Sequence, residues 1–222
     1  MVDLPAPGIP VKQTISFVNN KTKKLLVYEG TGNYYRDVKR KLVMRTFVAV
    51  EISDEQVMEE ISKFQSELDI DAKRVEPQNL HFTLQFLGEI SKEMSEEVCE
   101  LLKKIEFSNF TINFRGIGVF PESKFPRIIW IGVDEKGGNA LIDLAKKVEN
   151  ALTSLGFRSD KPFKPHITVF RIKNKIEDIT KKLQMYESVE FGSQKITNFK
   201  FKQSVLTPNG PVYSNLMETR GV

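Results

Sequence analysis

The chain has 222 residues, of which 40% are hydrophobic and 16 are Phe, a composition that indicates a folded globular protein and excludes a disordered one. No apolar run reaches the roughly 18 residues that a membrane-spanning helix needs, and three early prolines interrupt any secretory signal. The single cysteine, Cys99, cannot form an internal disulfide, so we expect a reducing, cytoplasmic location and no membrane partner.

The formal charge of +4 suggests nucleic-acid binding, but the charge is unevenly distributed. Residues 1–43 contain eight Lys/Arg and three Asp/Glu, a net of +5. Residues 44–222 contain 25 Lys/Arg and 26 Asp/Glu, a net of −1. If this larger part of the chain handles RNA, it therefore does so at a local site and not over a wide basic face.

The N-terminal segment, residues 1–43, differs from the rest of the chain in its charge and in its pattern of predicted elements. Thr14 to Val18 and Lys24 to Tyr28 predict a hairpin, with Asn19-Asn20 as its turn. A basic cluster, residues 39–41, then precedes Met44, where a dense α/β pattern begins. We expect an N-terminal extension over 1–43 and a catalytic domain over 44–222. The extension is either an arm that touches RNA or an appendage left by a translation start upstream of the true one at Met44.

Strands and helices alternate from Met44 onward. The predicted strands cover 46–52, 80–87 (ended by Gly88), 110–119, 127–133, 166–171, 195–206 and 212–218. The predicted helices cover 53–68 (with a capping box of Ser53 and Gln56), 91–105, 138–155 (ended by Gly156) and 176–185. Two of the strand-helix-strand units each contain one histidine strand. The predicted fold class is therefore α+β, with two pseudo-symmetric lobes of antiparallel sheet and outer helices around a central cleft.

The two histidines of the chain share one local pattern, His81-Phe82-Thr83-Leu84 and His166-Ile167-Thr168-Val169. Side chains alternate between the two faces of a strand, so each motif presents an imidazole and a hydroxyl on one face. Imidazole can both take up and donate a proton near neutral pH. A threonine hydroxyl can donate a hydrogen bond to a phosphate oxygen. Two such pairs facing each other predict a site that grips one phosphate and opens a phosphodiester.

Other kinds of site are less well supported by the residues. A zinc site would use both histidines and a carboxylate, but neither histidine strand carries an acidic residue at a neighbouring inward position. A serine-histidine triad lacks the glycine-flanked serine that such a nucleophile requires. A module that binds RNA or a nucleotide without turnover remains an alternative, as does a phosphodiesterase acting on a cyclic nucleotide or a 2′-5′ oligonucleotide.

The sequence resembles the two-histidine phosphoesterases, and in particular the archaeal and bacterial RNA 2′,3′-cyclic phosphodiesterases, also called 2′-5′ RNA ligases. The resemblance extends from Met44 to about Glu218 and rests on ordered blocks of sequence. These are residues 45–50 (RTFVAV), 76–84 (EPQNLHFTL), 86–88 (FLG), 116–121 (GIGVFP), 127–130 (RIIW), 166–171 (HITVFR) and 204–213 (SVLTPNGPVY).

This resemblance implies hydrolysis of RNA 2′,3′-cyclic phosphate ends, tRNA fragments among them, to 2′-phosphates, with a weaker activity that joins RNA ends through a 2′-5′ bond. It implies His81 as proton donor, His166 as proton acceptor, and Thr83 and Thr168 as phosphate ligands, without a metal or other cofactor. We further expect Arg127 to contact phosphate and Phe47 or Trp130 to stack on a base, unless these two aromatics belong to the core. Phe170, where the family more often has a small residue, is expected to narrow the pocket. We expect a monomer.

Overall fold

The computed structural model describes residues 13–19, 24–30, 43–122, 124–174, 176, 178–208 and 210–222. The strands within them are β1 Gln13–Asn19, β2 Lys24–Gly30, β3 Val43–Glu51, β4 Lys73–Arg74, β5 His81–Ser91, β6 Phe110–Phe120, β7 Ile128–Val133, β8 Ile167–Arg171, β9 Glu190–Ile196, β10 Asn198–Thr207 and β11 Gly210–Arg220. The helices are α1 Glu55–Glu67, α2 Lys92–Leu102, α3 Glu135–Leu152 and α4 Thr180–Gln184, with short 3₁₀ turns at Pro77–Asn79 and Thr153–Leu155. None of these helices combines the length and hydropathy required to span a bilayer.

Two antiparallel sheets form the main body of the fold. The first has the strand order β11-β10-β3-β5, and the second has the order β4-β8-β7-β6-β9. The two histidine motifs occupy equivalent places, since β3, α1 and β5 in the first sheet correspond to β7, α3 and β8 in the second. This confirms the predicted α+β class with two similar antiparallel lobes.

Each connecting helix packs against at least one strand of the opposite sheet, which joins the lobes into one core. Helix α1 lies on β9 and β8, while α3 lies on β5 and β6. The buried Gln65 of α1 donates hydrogen bonds to the carbonyls of Val75 and Val169, at 3.0 and 2.8 Å. The rings of Phe82 on β5 and Phe114 on β6 stack at 5.9 Å between the sheets. The strands that carry the histidines therefore rest on a shared apolar base.

The N-terminal strands β1 and β2 pair antiparallel, with Gln13 opposite Gly30 and Asn19 opposite Lys24. This confirms the predicted pairing, although the turn residue Asn20 lies outside the described residues. The division into an extension over 1–43 and a catalytic domain over 44–222 stays a prediction.

Two predicted element ends are wrong for identifiable reasons. The N-cap of α1 is Asp54, whose carboxylate accepts from the Val57 amide at 3.0 Å. The predicted cap, Ser53, instead donates its backbone N–H to the side chain of Gln194. Gly88 does not end β5, because its φ of +72° accommodates an irregularity in the pairing with Thr46 and the strand continues to Ser91.

The predicted strand over 195–206 is in fact two strands in different sheets. β9 pairs with β6 in the second sheet, whereas β10 pairs with β3 and β11 in the first. The chain passes between the sheets at Thr197. The apolar-rich run is continuous in sequence, so periodicity alone could not show this crossing.

Candidate active site

The two His-x-Thr motifs expose the side chains that alternation predicts. His81, Thr83, His166 and Thr168 are partly exposed, whereas the residues that follow each of them are buried. Neither threonine hydroxyl has a hydrogen-bond partner within the described part of the chain, so both are available to a ligand. Each strand therefore presents an imidazole and a free hydroxyl on the same face.

The two imidazoles are held in the same way. Nδ1 of His81 lies 2.7 Å from the carbonyl oxygen of Asn79, and Nδ1 of His166 lies 2.6 Å from that of Lys164. A carbonyl oxygen can only accept, so each Nδ1 carries a proton and donates it. In the neutral ring this leaves Nε2 with a lone pair, ready to accept a proton or, once protonated, to donate one.

His81 is half-buried, with aromatic rings and charged side chains around it. Its ring contacts Phe47 at 5.1 Å and Tyr213 at 5.4 Å, measured between centroids. Opposite His81 on β3 is Glu51, whose carboxylate accepts from the ammonium groups of Lys200 and Lys202. A cavity of about 270 Å³ adjoins this cluster, lined by Glu51, Gln78, Asn79, Lys202, Pro211, Val212, Tyr213 and Asn215.

Burial and neighbouring cations determine the protonation of His81. Burial lowers the pKa of His81 to about 4, and the charges of Lys202 and Arg171 contribute to the lowering. The hydrogen bond to Asn79 and the charge of Glu51 oppose it. The pKa of Glu51 itself is lowered, because the bonds and charges of the two lysines outweigh the effect of its burial. At neutral pH, His81 is therefore a neutral imidazole beside a net positive cluster.

His166 lies among aromatic side chains. Phe120 meets its ring edge-on at 5.2 Å, and Trp130 lies 6.1 Å away. The ammonium of Lys164 lies 6.0 Å from the centre of the Phe120 ring. Burial lowers the pKa of His166 as well, against the opposing effect of the bond to the Lys164 carbonyl. The two histidines thus share a tautomer but differ in surroundings, with charges near His81 and aromatic rings near His166.

Charge and packing connect the two motifs across the lobes. Strands β5 and β8 approach each other although they belong to different sheets. Arg171, at the end of β8, is close enough to contribute to the lowered pKa of His81 and to oppose the effect of burial, which raises the pKa of Tyr213. A cation from the His166 strand therefore acts on the imidazole of the other strand.

The remaining predicted site residues are placed as follows. Phe47 is only 3% exposed and lies against His81, which favours the alternative that it is a core residue. Trp130 is half-buried beside His166. Arg127 is exposed just before β7, and its Nη1 donates to the Lys173 carbonyl at 2.9 Å. Phe170 is 1% exposed and packs on Phe64, so the prediction that it narrows the pocket is wrong.

A family model described as LigT-like phosphoesterase matches residues 50–130 and, separately, residues 131–213. The first match contains His81 and Thr83, and the second contains His166 and Thr168. The chain belongs to the LigT-like phosphoesterases.

Relatives and solved structures agree with this assignment. The chain is 43% identical to a protein of Archaeoglobus fulgidus named RNA 2′,3′-cyclic phosphodiesterase, over 78% of this chain and 98% of the relative. An Aquifex aeolicus protein of the same name is 41% identical, over 79% and 96%. The crystal structure of TT0787 of Thermus thermophilus superposes with a TM-score of 0.67 at 30% identity, over 80% of this chain and 97% of that chain. Escherichia coli LigT has the same fold, with a TM-score of 0.65 at 23% identity, over 82% of this chain and 99% of that one.

Sequence reasoning missed several residues of this LigT-like phosphoesterase that lie near the histidines. Arg171 and Lys202 were not assigned a role, although both charges act on His81. Their significance depends on contacts with His81 across 90 residues or more of sequence, which no local pattern reveals. Phe120 was detectable, because it belongs to the block 116–121 on which the family resemblance rests. Among the described residues, no group of three or more His, Cys, Asp or Glu is arranged to hold a metal ion.

Gly118 makes room for the indole of Trp130 in this LigT-like phosphoesterase, and we expect Gly118→Ala to destabilise it. A Cβ at Gly118 would lie 2.0 Å from Cζ2 of Trp130, its partner across β6 and β7. Overpacking of this kind costs about 1–3 kcal/mol. The measurement is urea unfolding, and Trp130→Leu in the same chain should recover part of the loss. Gly138→Ala is the matched control, since its Cβ would meet Val133 at an ordinary 3.5 Å. Equal effects at the two positions would contradict this account.

Protonation of His81 should destabilise the fold of this LigT-like phosphoesterase in acid. The pKa of His81 is about 4 in the folded protein, against 6.5 for an unperturbed histidine. Between these values the unfolded chain binds a proton that the folded chain does not, so the free energy of unfolding falls as the pH drops. We expect a contribution on the order of 2 kcal/mol by pH 4, measured by urea unfolding at several pH values. His81→Gln lacks this titration, so its stability should approach that of the wild type in acid. A difference in the free energy of unfolding between the wild type and His81→Gln that does not change with pH would contradict the prediction.

Proposed function

We propose that this protein hydrolyses the 2′,3′-cyclic phosphate ends of RNA to 2′-phosphomonoesters by acid-base catalysis at His81 and His166. The observation that carries the proposal is the matched pair of motifs, in which each imidazole is fixed through Nδ1 and accompanied by an unpartnered threonine hydroxyl. The relatives named RNA 2′,3′-cyclic phosphodiesterase support the choice of substrate.

The reaction requires one proton to be removed and one to be supplied. Nε2 of His166 takes a proton from a water molecule as its oxygen attacks phosphorus. The bond between phosphorus and the 3′ oxygen breaks, and Nε2 of His81 protonates that oxygen to give a 3′-hydroxyl. The phosphate stays on the 2′ oxygen. The two histidines finish with their protonation states exchanged, and solvent restores them.

Binding of the anionic substrate favours the protonated form of His81, which takes its proton from solvent. The pKa of His81 is about 4 in the free protein, so the ring is mostly neutral near pH 7. A cyclic phosphate carries one negative charge, and a nearby anion raises the pKa of an imidazole. His81 is therefore protonated most readily when substrate is bound. Thr83 and Thr168 donate to the non-bridging oxygens, where negative charge builds up in the transition state.

The cations around the site favour an anion of this size. Arg171 and Lys202 both act on His81, and the carboxylate of Glu51 neutralises only one of the two lysines that it accepts from. The excess positive charge attracts a phosphate without requiring a wide basic surface. Arg127 and Trp130 as substrate contacts remain part of this proposal.

A substrate panel tests the proposal. The purified protein is incubated in EDTA with RNA ending in a 2′,3′-cyclic phosphate, with a 3′,5′-cyclic nucleotide and with a 2′-5′ oligoadenylate. We expect turnover of the first at the highest kcat/KM. Preferential cleavage of either other substrate would overturn the proposed specificity. Tight binding of RNA without turnover would favour a binding module, and activity lost only in EDTA would indicate a metal enzyme.

Several finer points stay predictions. A 5′-hydroxyl in place of water would join two RNAs through a 2′-5′ bond by the same step. tRNA fragments as substrate, a monomeric state and a cytoplasmic location rest on the family resemblance and on the single cysteine.

A further inference from the structure

Each histidine strand contains a β-bulge directly after its motif threonine. On β5, Thr83 pairs with Ala49 and Gln85 with Val48, so Leu84 is the extra residue. On β8, Thr168 pairs with Trp130 and Phe170 with Ile129, so Val169 is the extra residue. The irregularity thus occurs at the same step in both lobes.

A bulge changes the face on which the following side chains lie. Without it, alternation from His81 and Thr83 would place Gln85 on the cleft face and Phe86 in the core. The structure has the reverse, with Gln85 4% exposed and Phe86 71% exposed. On β8, the bulge likewise buries Phe170 and exposes Arg171. Phe86 and Arg171 are therefore equivalent positions of the two lobes, each turned to the side of its histidine.

The bulge on β5 carries a cost in stability. Both polar atoms of the buried Gln85 amide lack a hydrogen-bond partner among the described residues. Burying an amide without hydrogen-bond partners is unfavourable, and exposing the phenyl ring of Phe86 to water does not stabilise the fold. The outward position of Phe86 is therefore not explained by the stability of the sheet, and an interaction with a ligand would account for it.

The surroundings of Phe86 define the chemistry of that ligand. The centre of its ring lies 6.3 Å from that of Phe47, which in turn lies 5.1 Å from the centre of the His81 imidazole. A single nucleotide can therefore reach from the exposed ring to the histidine. Arg45, exposed on the same face of β3 as Phe47, is close enough to act on Tyr213, as is Arg171. An exposed aromatic ring among cations matches a ligand that combines a planar base with a phosphate.

We propose that Phe86 is the stacking residue for the base of the terminal nucleotide, the one whose ribose carries the cyclic phosphate. This inference rests on the proposed function. Stacking on an exposed ring holds the base while the ribose and its phosphate reach between the histidines. The stacked base contacts Phe86 equally in the ground state and the transition state, so Phe86 contributes to KM more than to kcat.

The test compares two substrates, adenosine 2′,3′-cyclic phosphate and the corresponding 1-O-methyl ribose 2′,3′-cyclic phosphate, which has no base. We expect Phe86→Ala to raise KM for the adenosine substrate roughly 5- to 100-fold with little change in kcat. The same variant should leave KM and kcat for the base-free substrate unchanged. Phe86→Trp should retain a low KM, whereas Phe86→Leu, which is apolar but cannot stack, should not. Met185→Ala removes a side chain that is 78% exposed just after α4 and serves as the control.

The other outcomes overturn the inference. An unchanged KM in Phe86→Ala, with normal wild-type turnover, rules out stacking while leaving the proposed function intact. An equal loss on the base-free substrate shows a structural role instead. A loss seen only with a dinucleotide assigns Phe86 to the upstream base. If the wild type turns over no cyclic phosphate, the proposed function itself is refuted. That result differs from a failure of the stacking proposal alone, in which the wild type is active.

Discussion

Replacing either histidine with alanine lowers kcat on RNA ending in a 2′,3′-cyclic phosphate by at least about 100-fold, the size expected when a general acid or base is removed. Both imidazoles are fixed through Nδ1 and present Nε2, so neither can replace the other at the opposite side of the phosphate. The measurement is single-turnover kinetics of the two variants beside the wild type.

The double variant provides a further check on this prediction. Residues that act as a unit show non-additive losses of activity. The kcat of His81→Ala/His166→Ala should therefore be only slightly lower than that of the less active single variant. Urea unfolding of each variant shows that the fold is retained. A loss of less than about tenfold in either single variant would contradict a role in proton transfer for that histidine.

Thr83→Val and Thr168→Val should each lower kcat/KM by about 10- to 1000-fold, the range seen when one donor to a developing oxyanion is removed. Valine keeps the shape and the β-branched side chain of threonine, so the strand is preserved and only the hydroxyl is lost. Both hydroxyls are unpartnered among the described residues, so no internal hydrogen bond is broken by the change. Steady-state kinetics with the cyclic-phosphate RNA measures the effect.

Thr111→Val is the matched control, because Thr111 is an exposed strand residue of β6 outside both motifs. It should leave kcat/KM within about twofold of the wild type, as expected for a substitution away from the site. The pH dependence of kcat should keep its shape in the two motif variants, since the titrating groups are unchanged. A shifted pH profile would indicate that the threonines act through the histidines instead of on the phosphate.

The parts of the site that follow from strand periodicity were predictable from the sequence. His81 and Thr83 share a face because alternation requires it, and the same holds for His166 and Thr168. Helical spacing predicted α3, although the α-helix ends at Leu152 and a 3₁₀ turn continues to Leu155. The predicted stop at Gly156 is confirmed as the end of that turn, where φ is +88°.

The parts that depend on pairing between distant strands were not predictable. A bulge is a property of two strands, so the sequence near Thr83 does not show that Phe86 turns outward while Gln85 is buried. The burial of Phe47 depends on β10 and β11, which reach β3 only through the crossing at Thr197. The cations at His81 likewise come from β8 and β10. The sequence therefore predicted the paired histidines and threonines but not the residues that surround them.

The most direct test of the central claim is to follow the oxygen and the phosphate in one reaction. RNA ending in a 2′,3′-cyclic phosphate is incubated with the protein in H₂¹⁸O and EDTA, and the product end is analysed by mass spectrometry and by phosphorus NMR. Paired-histidine hydrolysis predicts a 2′-phosphomonoester that carries one ¹⁸O, formed by the wild type and not by His81→Ala or His166→Ala. A 3′-phosphomonoester, or the same product at the same rate from either variant, would contradict it.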